Sequence, residues 1–506
     1  MVDRDVLRTA IALIVGALAV IFDTTITSIA LPTLVDELHS PVSTIQWVST
    51  GYLLALGVVI PLVAWAQART GGKRLWMIAL SVFLLGSVLC SLAWSAPSLI
   101  AFRVVQGVGG GLMLPLLSTL IMQAARGRNL GRTMAMISLP AVLGPILGPV
   151  LGGAILHWLD WRWLFWVNVP FCVVGIVLAR RLLPDDRPTG RARLDIPGLA
   201  LIAPGIVGLL YGLSNVSNPG GFGRADVLVP LVAGVVLTAL FAWRAARSTG
   251  GALVDVRLLR RRPVATSSAM LFLSGASLYG AMLLLPLYFQ DSRRASVLTA
   301  GLLLVPQGVG SLLSRGLTGR LMDSLGARVL VAAGFVLVGV ATVPFALAGP
   351  HTNGVWLLAA LLVRGFGLSV VTVPLMAVAF VGLERSEVPH ASILTRIAQQ
   401  LGGSFGTAVL AVILAATHSF DRAFWWTVGF TALAVVLSFL LPGRPELTPA
   451  PAIPAAAAAT SSSAAASPFV TTVERTHGAE PTGDPTWSTY ASATQGSRSA
   501  GSHSVA

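Results

Sequence analysis

The chain has 506 residues, 55% hydrophobic and 11% charged, with a mean hydropathy of +0.81. Soluble globular proteins carry about 25% charged residues, so there is too little charge here to coat a water-soluble fold of this size. The formal charge of +14, from 34 basic and 20 acidic residues, invites a nucleic-acid reading that the placement of the charges argues against.

A membrane-spanning helix needs about 20 mostly apolar residues, and fourteen such runs are predicted. In chain order they lie near 9–31, 44–66, 75–95, 98–121, 133–156, 164–183, 196–214, 227–247, 264–288, 298–319, 327–347, 354–379, 393–417 and 422–441. The first is too long for a signal-peptide core and no small-residue cleavage site follows it, so it reads as a retained span. With the N-terminus inside, 27 of the 34 basic residues fall in inner loops, spans' inner ends or the tail, and five in outer loops. Arg103 and Arg364 remain within spans. That asymmetry fits the positive-inside rule, so the basic balance is membrane topology. From Gly443 the composition turns to Ala, Ser, Thr and Pro, and residues 443–506 are expected to be a disordered cytoplasmic tail. Cys90 and Cys172 lie in apolar runs, leaving no disulfide framework to read.

One internal repeat stands out. Gly319-x3-Asp323-x2-Gly326-x-Arg328 follows the tenth span, and Ala64-x3-Ala68-x2-Gly71-x-Lys73 follows the second at identical spacing. Each precedes a helix-loop-helix carrying an intramembrane Arg. Two related helical halves with a two-helix insert form a transporter architecture. The expected division is 1–183, an N-terminal six-helix bundle; 184–262, a linker with two extra spans; and 263–442, a C-terminal six-helix bundle.

Asp23 is the one acidic residue well inside a predicted span. A carboxylate in hydrocarbon costs a few kcal/mol, so it is paired, cavity-facing and functional in most cases; a proton carrier is the reading favoured here. The plainer alternative is an Asp that bonds Thr24, Thr27 or a neighbouring helix. Asp23 is about 12 Å from the outer end of its span and Arg103 about 8 Å from the outer end of its own, so the two are placed at similar heights. Snorkelling to the outer interface is the alternative for Arg103.

In the fifth span, Gly144-Pro145-x2-Gly148-Pro149-x2-Gly152-Gly153 makes a smooth face for close helix approach, bent by its prolines. Gly402 to Gly406 in the thirteenth looks like its counterpart. Gly107 to Gly111 lies within a helix and lacks a following Lys-Ser/Thr, which rules out a phosphate loop. The seven His are scattered and suggest no metal site. No nucleophile stands beside a plausible base, so an enzyme has little support. Trp47, Tyr52, Gln106, Asn168, Tyr279 and Gln307, polar or aromatic on apolar helices, are candidates to line a substrate cavity; the alternatives are interfacial belts and single helix–helix hydrogen bonds.

These residues resemble a family. Asp23-Thr-Thr-Ile-Thr-Ser-Ile-Ala-Leu-Pro32 looks like the first-helix signature of the 14-helix drug:proton antiporters of the major facilitator superfamily. Arg103-Val-Val-Gln-Gly-Val-Gly-Gly-Gly111 resembles the superfamily's fourth-helix motif, and Gly144 to Gly153 the antiporter motif of the fifth. Trp161 to Pro170 is similar to the family's entry into helix six. The resemblance covers roughly residues 9 to 441. It implies an all-α membrane protein of fourteen transmembrane helices, two six-helix bundles plus two inserted helices, working by alternating access. It also implies proton coupling through Asp23 and Arg103, and a cytoplasmic gate at Gly319, Asp323, Gly326 and Arg328. Departures exist: the family's Gly-x3-Asp after the second helix is Ala64 and Ala68 here, which removes a charged latch, and Ser28 replaces the usual Asn.

The expected function is proton-coupled efflux of amphiphilic drugs or antibiotics across a bacterial inner membrane. The chain would be a monomer with both termini cytoplasmic, its partners protons, an amphiphilic substrate and the lipid bilayer. No cofactor, metal or nucleic acid is implied. The alternatives are a dedicated exporter of one metabolite or self-made antibiotic, and a non-transporting sensor that kept the fold.

Overall fold

In lipid, a backbone must satisfy its polar groups internally, so long apolar runs form helices. The computed structural model describes residues 4–125, 130–137, 139–186, 188, 193–216, 223–248, 252–349, 352–384 and 386–442, and every regular element there is helical. The expected tail, 443–506, lies outside the described residues. In chain order the helices are α1 (Arg4–Glu37), α2 (Val42–Val59), α3 (Val63–Thr70), α4 (Gly72–Ser91), α5 (Ala96–Ala125), α6 (Leu130–Ile137), α7 (Leu139–Trp158), α8 (Trp163–Trp166) and α9 (Asn168–Leu182). Then come α10 (Ile196–Asn215), α11 (Ala225–Arg247), α12 (Arg262–Leu287), α13 (Val297–Leu303), α14 (Val305–Leu325), α15 (Ala327–Ala346), α16 (Gly354–Val378), α17 (Val388–Thr417) and α18 (Phe420–Ser438).

Among the described residues, twelve stretches are long and apolar enough to cross a membrane, where the sequence predicted fourteen. Of the two predicted runs outside these twelve, 133–156 holds α6 and α7 and includes positions outside the described residues, whereas 298–319 is divided at Leu304 into α13 and α14. Polar residues explain the second case, since α14 carries Gln307, Arg315, Arg320 and Asp323. Helix ends also move two charges. Arg315 and Arg396, assigned to the inner face by sequence, stand two to three turns inside α14 and α17, because α14 continues to Leu325 and α17 begins at Val388.

The repeat predicted around Gly71 and Gly326 is one backbone turn made twice. Gly71 has φ 81° and ψ 157°, and Gly326 has φ 80° and ψ 158°. Each N–H bonds the carbonyl four residues back, Gln67 at 2.8 Å and Met322 at 3.1 Å. L-residues rarely occupy this region, so glycine allows α3 to pass directly into α4 and α14 into α15.

Glycine faces set how closely the helices pack. α7 lies against α1, where a Cβ on Gly144 would collide with Ile21 and one on Gly148 with Thr25. In the second half, α17 lies against α12 in the same way: Gly402 abuts the Phe272 carbonyl and Gly406 that of Ala276. The intervening hairpin is held by Asp195, which caps α10 at the Gly198 N–H (2.9 Å) and meets Arg244 of α11 at 2.9 Å. Burial opposes the Asp195 charge, but the Arg244 and backbone donors win and hold its carboxyl below the usual carboxylate range.

Two stability outcomes follow from these contacts. Gly71→Ala should cost about 1–3 kcal/mol, read as a lower melting midpoint of the purified protein. Gly148→Ala should cost about 1–3 kcal/mol by overpacking, and adding Thr25→Ala should recover most of that loss. Additive losses in the double variant would show that the α1–α7 contact is not the cause.

Candidate functional site

Asp23 sits in mid-α1 with 1% of its surface exposed. Thr24 donates to the Val20 carbonyl and Thr27 to the backbone carbonyl of Asp23 itself, so neither hydroxyl proton goes to its carboxylate. The carboxylate instead faces α5 and α9. Its Oδ2 accepts from Arg103 Nη1 at 2.5 Å. Its Oδ1 accepts from Gln106 Nε2 at 2.9 Å and Asn168 Nδ2 at 3.0 Å.

Arg103 is equally enclosed, at 1% exposure, so it does not snorkel. Its Nε donates to the Val48 carbonyl at 3.1 Å and its Nη1 also reaches Gln106 Oε1 at 2.7 Å. The Tyr52 ring lies 4.0 Å from the guanidinium carbon, within cation–π range. Ser87 of α4 ties the amides together. Its Oγ accepts from Gln106 at 3.0 Å and Asn168 at 2.9 Å, and donates to the Phe165 carbonyl at 3.1 Å. Five helices, α1, α2, α4, α5 and α9, therefore meet around the Asp23–Arg103 pair and its amides. Charge-assisted bonds of this kind are about twice as strong as neutral ones.

The predicted cavity residues separate into groups. Tyr52, Gln106 and Asn168 belong to the Asp23 cluster. Gln307 accepts from Arg364 at 2.8 Å in the second half. Trp47 and Tyr279 are each 39% exposed; Trp47 packs on Tyr211 of α10 at 5.7 Å, and the Tyr279 ring lies over Gly403. Ser87 escaped the sequence reading because a single serine in an apolar span carries no signal by itself.

Gly144, Gly148 and Gly152 face α1 at Ile21, Thr25 and Ile26, on either side of Asp23. Gly153 is half-buried, and the side chain of Pro149 lies outside the described residues. At the repeat, Gly319 and Gly326 are buried and Arg328 Nε donates to the Leu441 carbonyl at 2.8 Å. The Asp323 side chain lies outside the described residues. In the first copy, where Ala68 replaces the acid, Asp186, four residues beyond α9, accepts from the Gly72 N–H at 2.5 Å and the Lys73 N–H at 3.1 Å. It thus caps α4, where an anion suits the helix dipole. The adjacent Asp185 meets Lys73 at 2.9 Å, and that hydrogen bond and charge hold its carboxyl below the usual range. Nearby, Thr119 of α5 donates to Ser392 of α17 at 3.1 Å, joining the two halves of the chain.

Known proteins share this arrangement of helices. The sequence profile of the Major Facilitator Superfamily matches residues 13–407. A multidrug resistance protein B homolog of Mycobacterium tuberculosis is 35% identical over 83% of this chain and 78% of its own. The lincomycin resistance protein LmrB of Listeria monocytogenes is 30% identical over 78% of this chain and 84% of its own. Among solved structures, the human organic anion transporter MFSD10 superposes with a TM-score of 0.63 at 17% identity, covering 86% of this chain and 100% of that one. The proton:xylose symporter XylE does so with 0.63 at 16%, covering 88% and 97%. A profile spanning most of the chain, relatives at 30–35% identity and a shared helical fold together establish that this chain is a multi-span membrane protein belonging to the major facilitator superfamily.

Proposed function

We propose that this protein exports amphiphilic drugs or antibiotics across the bacterial inner membrane in exchange for protons, by alternating access. The observation that carries the reading is the sealed Asp23–Arg103 pair, an ionisable couple withdrawn from water at the junction of five helices. The resistance proteins among its relatives supply the substrate class.

In this reading the chain crosses the bilayer fourteen times. α6–α7 and α13–α14 act as the fifth and tenth spans, and both termini are cytoplasmic. Residues 1–183 and 263–442 form the two moving bundles, and 184–262 carries the inserted hairpin. The ionised Asp23 satisfies Arg103. Protonation removes the carboxylate charge and leaves a buried guanidinium without its partner, which in comparable sites costs about 3–5 kcal/mol. That is enough to reverse a two-state equilibrium whose gap is a few kcal/mol. Ile21 and Thr25, two residues either side of Asp23, are the α1 side chains on which Gly144 and Gly148 rest. Movement of α1 on protonation is thereby passed directly to α7. The Thr119–Ser392 contact, the Asp186 cap and the repeat around Gly319, Asp323, Gly326 and Arg328 serve as the cytoplasmic gate. Trp47 and Tyr279, the exposed members of the predicted cavity set, are the ones left to meet substrate.

Inverted membrane vesicles with an imposed pH gradient provide the test. Wild type should accumulate a fluorescent dye, and Asp23→Asn should abolish gradient-driven uptake while dye binding survives. Uptake unchanged in Asp23→Asn would move coupling away from α1; absence of uptake of any drug in wild type would overturn export of broad range. Asn168→Leu removes one donor to the Asp23 carboxylate, so it should lower gradient-driven uptake several-fold with dye binding retained. Uptake equal to that of wild type would assign Asn168 to packing alone.

A further inference from the structure

The site built around Arg103 has a second version in the other half of the chain, and its chemistry is incomplete. Counted from the paired glycines, Tyr52 and Gln307 each stand nineteen residues before Gly71 and Gly326, and Ser87 and Thr342 each stand sixteen residues after them. Into each position reaches one guanidinium, Arg103 or Arg364, each 1% exposed. Arg103 meets the Asp23 carboxylate. Arg364 meets only neutral acceptors: Thr342 Oγ1 at 3.3 Å from Nε, Gln307 Oε1 at 2.8 Å from Nη1, and the Ser277 carbonyl at 3.0 Å from Nη2. Among the described residues, no carboxylate lies within 4.0 Å of it.

A guanidinium carries five N–H donors and does not lose its proton in proteins. Three are used here, so two donors and a full charge remain. Withdrawing such a charge from water costs several kcal/mol unless an anion pairs with it. The surroundings add further donors. Ser277 Oγ, on the residue whose carbonyl Arg364 already holds, is buried without a partner, and so is Ser274 Oγ one turn earlier on the same face of α12. The two spare N–H groups of Arg364 and the two unpartnered hydroxyls of α12 are all donors that one negatively charged acceptor would satisfy. Close packing limits its size. Gly365, beside Arg364, leaves no space for a Cβ against the Gln307 carbonyl, and Gly310 leaves none against that of Leu362.

We propose that Arg364, with Ser277 and Ser274, binds a small monovalent inorganic anion of the size of chloride. The ion takes in the second half the electrostatic place that Asp23 fills in the first. One half then carries a counter-charge that a proton can cancel, and the other carries one that a proton does not cancel at physiological pH.

The test is thermal unfolding of the purified full-length protein in gluconate buffer, with chloride replacing gluconate at constant cation and ionic strength. A ligand that binds only the folded state raises the melting midpoint in a saturable way. Chloride and bromide should do so and sulfate should not. Arg364→Gln should abolish the response, and Ser277→Ala should shift its half-saturation several-fold upward. Should Arg364→Gln fail to fold, the anion selectivity of wild type and the Ser277→Ala shift decide alone. A flat response in wild type overturns the proposal, as does a response that Ser277→Ala and Arg364→Gln leave unchanged. A rise with benzoate but not with chloride overturns the inorganic ion in favour of an organic acid. No transport is measured, so the result stands or falls separately from proton-coupled export.

Discussion

The structure turns on the enclosure of one carboxylate with one guanidinium. Neither Asp23 nor Arg103 is tolerable alone in an apolar bundle, because an unpaired buried charge costs several kcal/mol. Their pairing obliges α1, α2, α4, α5 and α9 to converge, since the Val48 carbonyl, Tyr52, Ser87, Gln106 and Asn168 occupy the remaining valences. The first half is thus organised around a polar centre rather than by apolar packing alone. Lipid tails are as apolar as leucine, so apolar contact by itself gives membrane helices little reason to choose one arrangement.

Close packing surrounds that centre and transmits its state. α7 rests on α1 through glycines that bracket Asp23, and α17 rests on α12 through the corresponding glycines of the second half. The glycines meet the Ile21 and Thr25 side chains in the first pair and backbone carbonyls in the second, with no side chain of their own to yield, so a shift in one helix must move the other. The second half reuses the geometry with Arg364, Gln307 and Thr342 but, among the described residues, brings no carboxylate within 4.0 Å of that arginine. The symmetry is therefore one of shape, and the chemistry differs between the halves.

The repeat at Gly71 and Gly326 shows how a motif can lose a residue and keep its turn. Ala68 removes an acid from the first copy, yet both glycines retain φ near 80°. The helix that follows is capped by Asp186, an acid supplied from the segment after α9. The anion required at a helix N-terminus thus comes from distant sequence, held by the fold.

Composition and periodicity were enough to establish a membrane protein, its helical class, most of its spans, and Asp23 and Arg103 as residues that hydrocarbon would not leave idle. Glycine spacing marked the close-packing face of α7 before any contact was visible, because small residues at four-residue intervals have few other uses in a membrane helix. Three things depended on tertiary structure. Helix ends were one: the continuation of α14 to Leu325 and the start of α17 at Val388 carried Arg315 and Arg396 from a predicted inner face into helix interiors. The partners of the carboxylate were another. Gln106 and Asn168 are amides that a sequence can place only near a cavity, and it is the approach of α5 and α9 to α1 that turns them toward Asp23. Last was the isolation of Arg364. A sequence shows that an arginine lies in a span, but whether an acid faces it is decided by which helices become neighbours, and that is fixed only when the bundle closes.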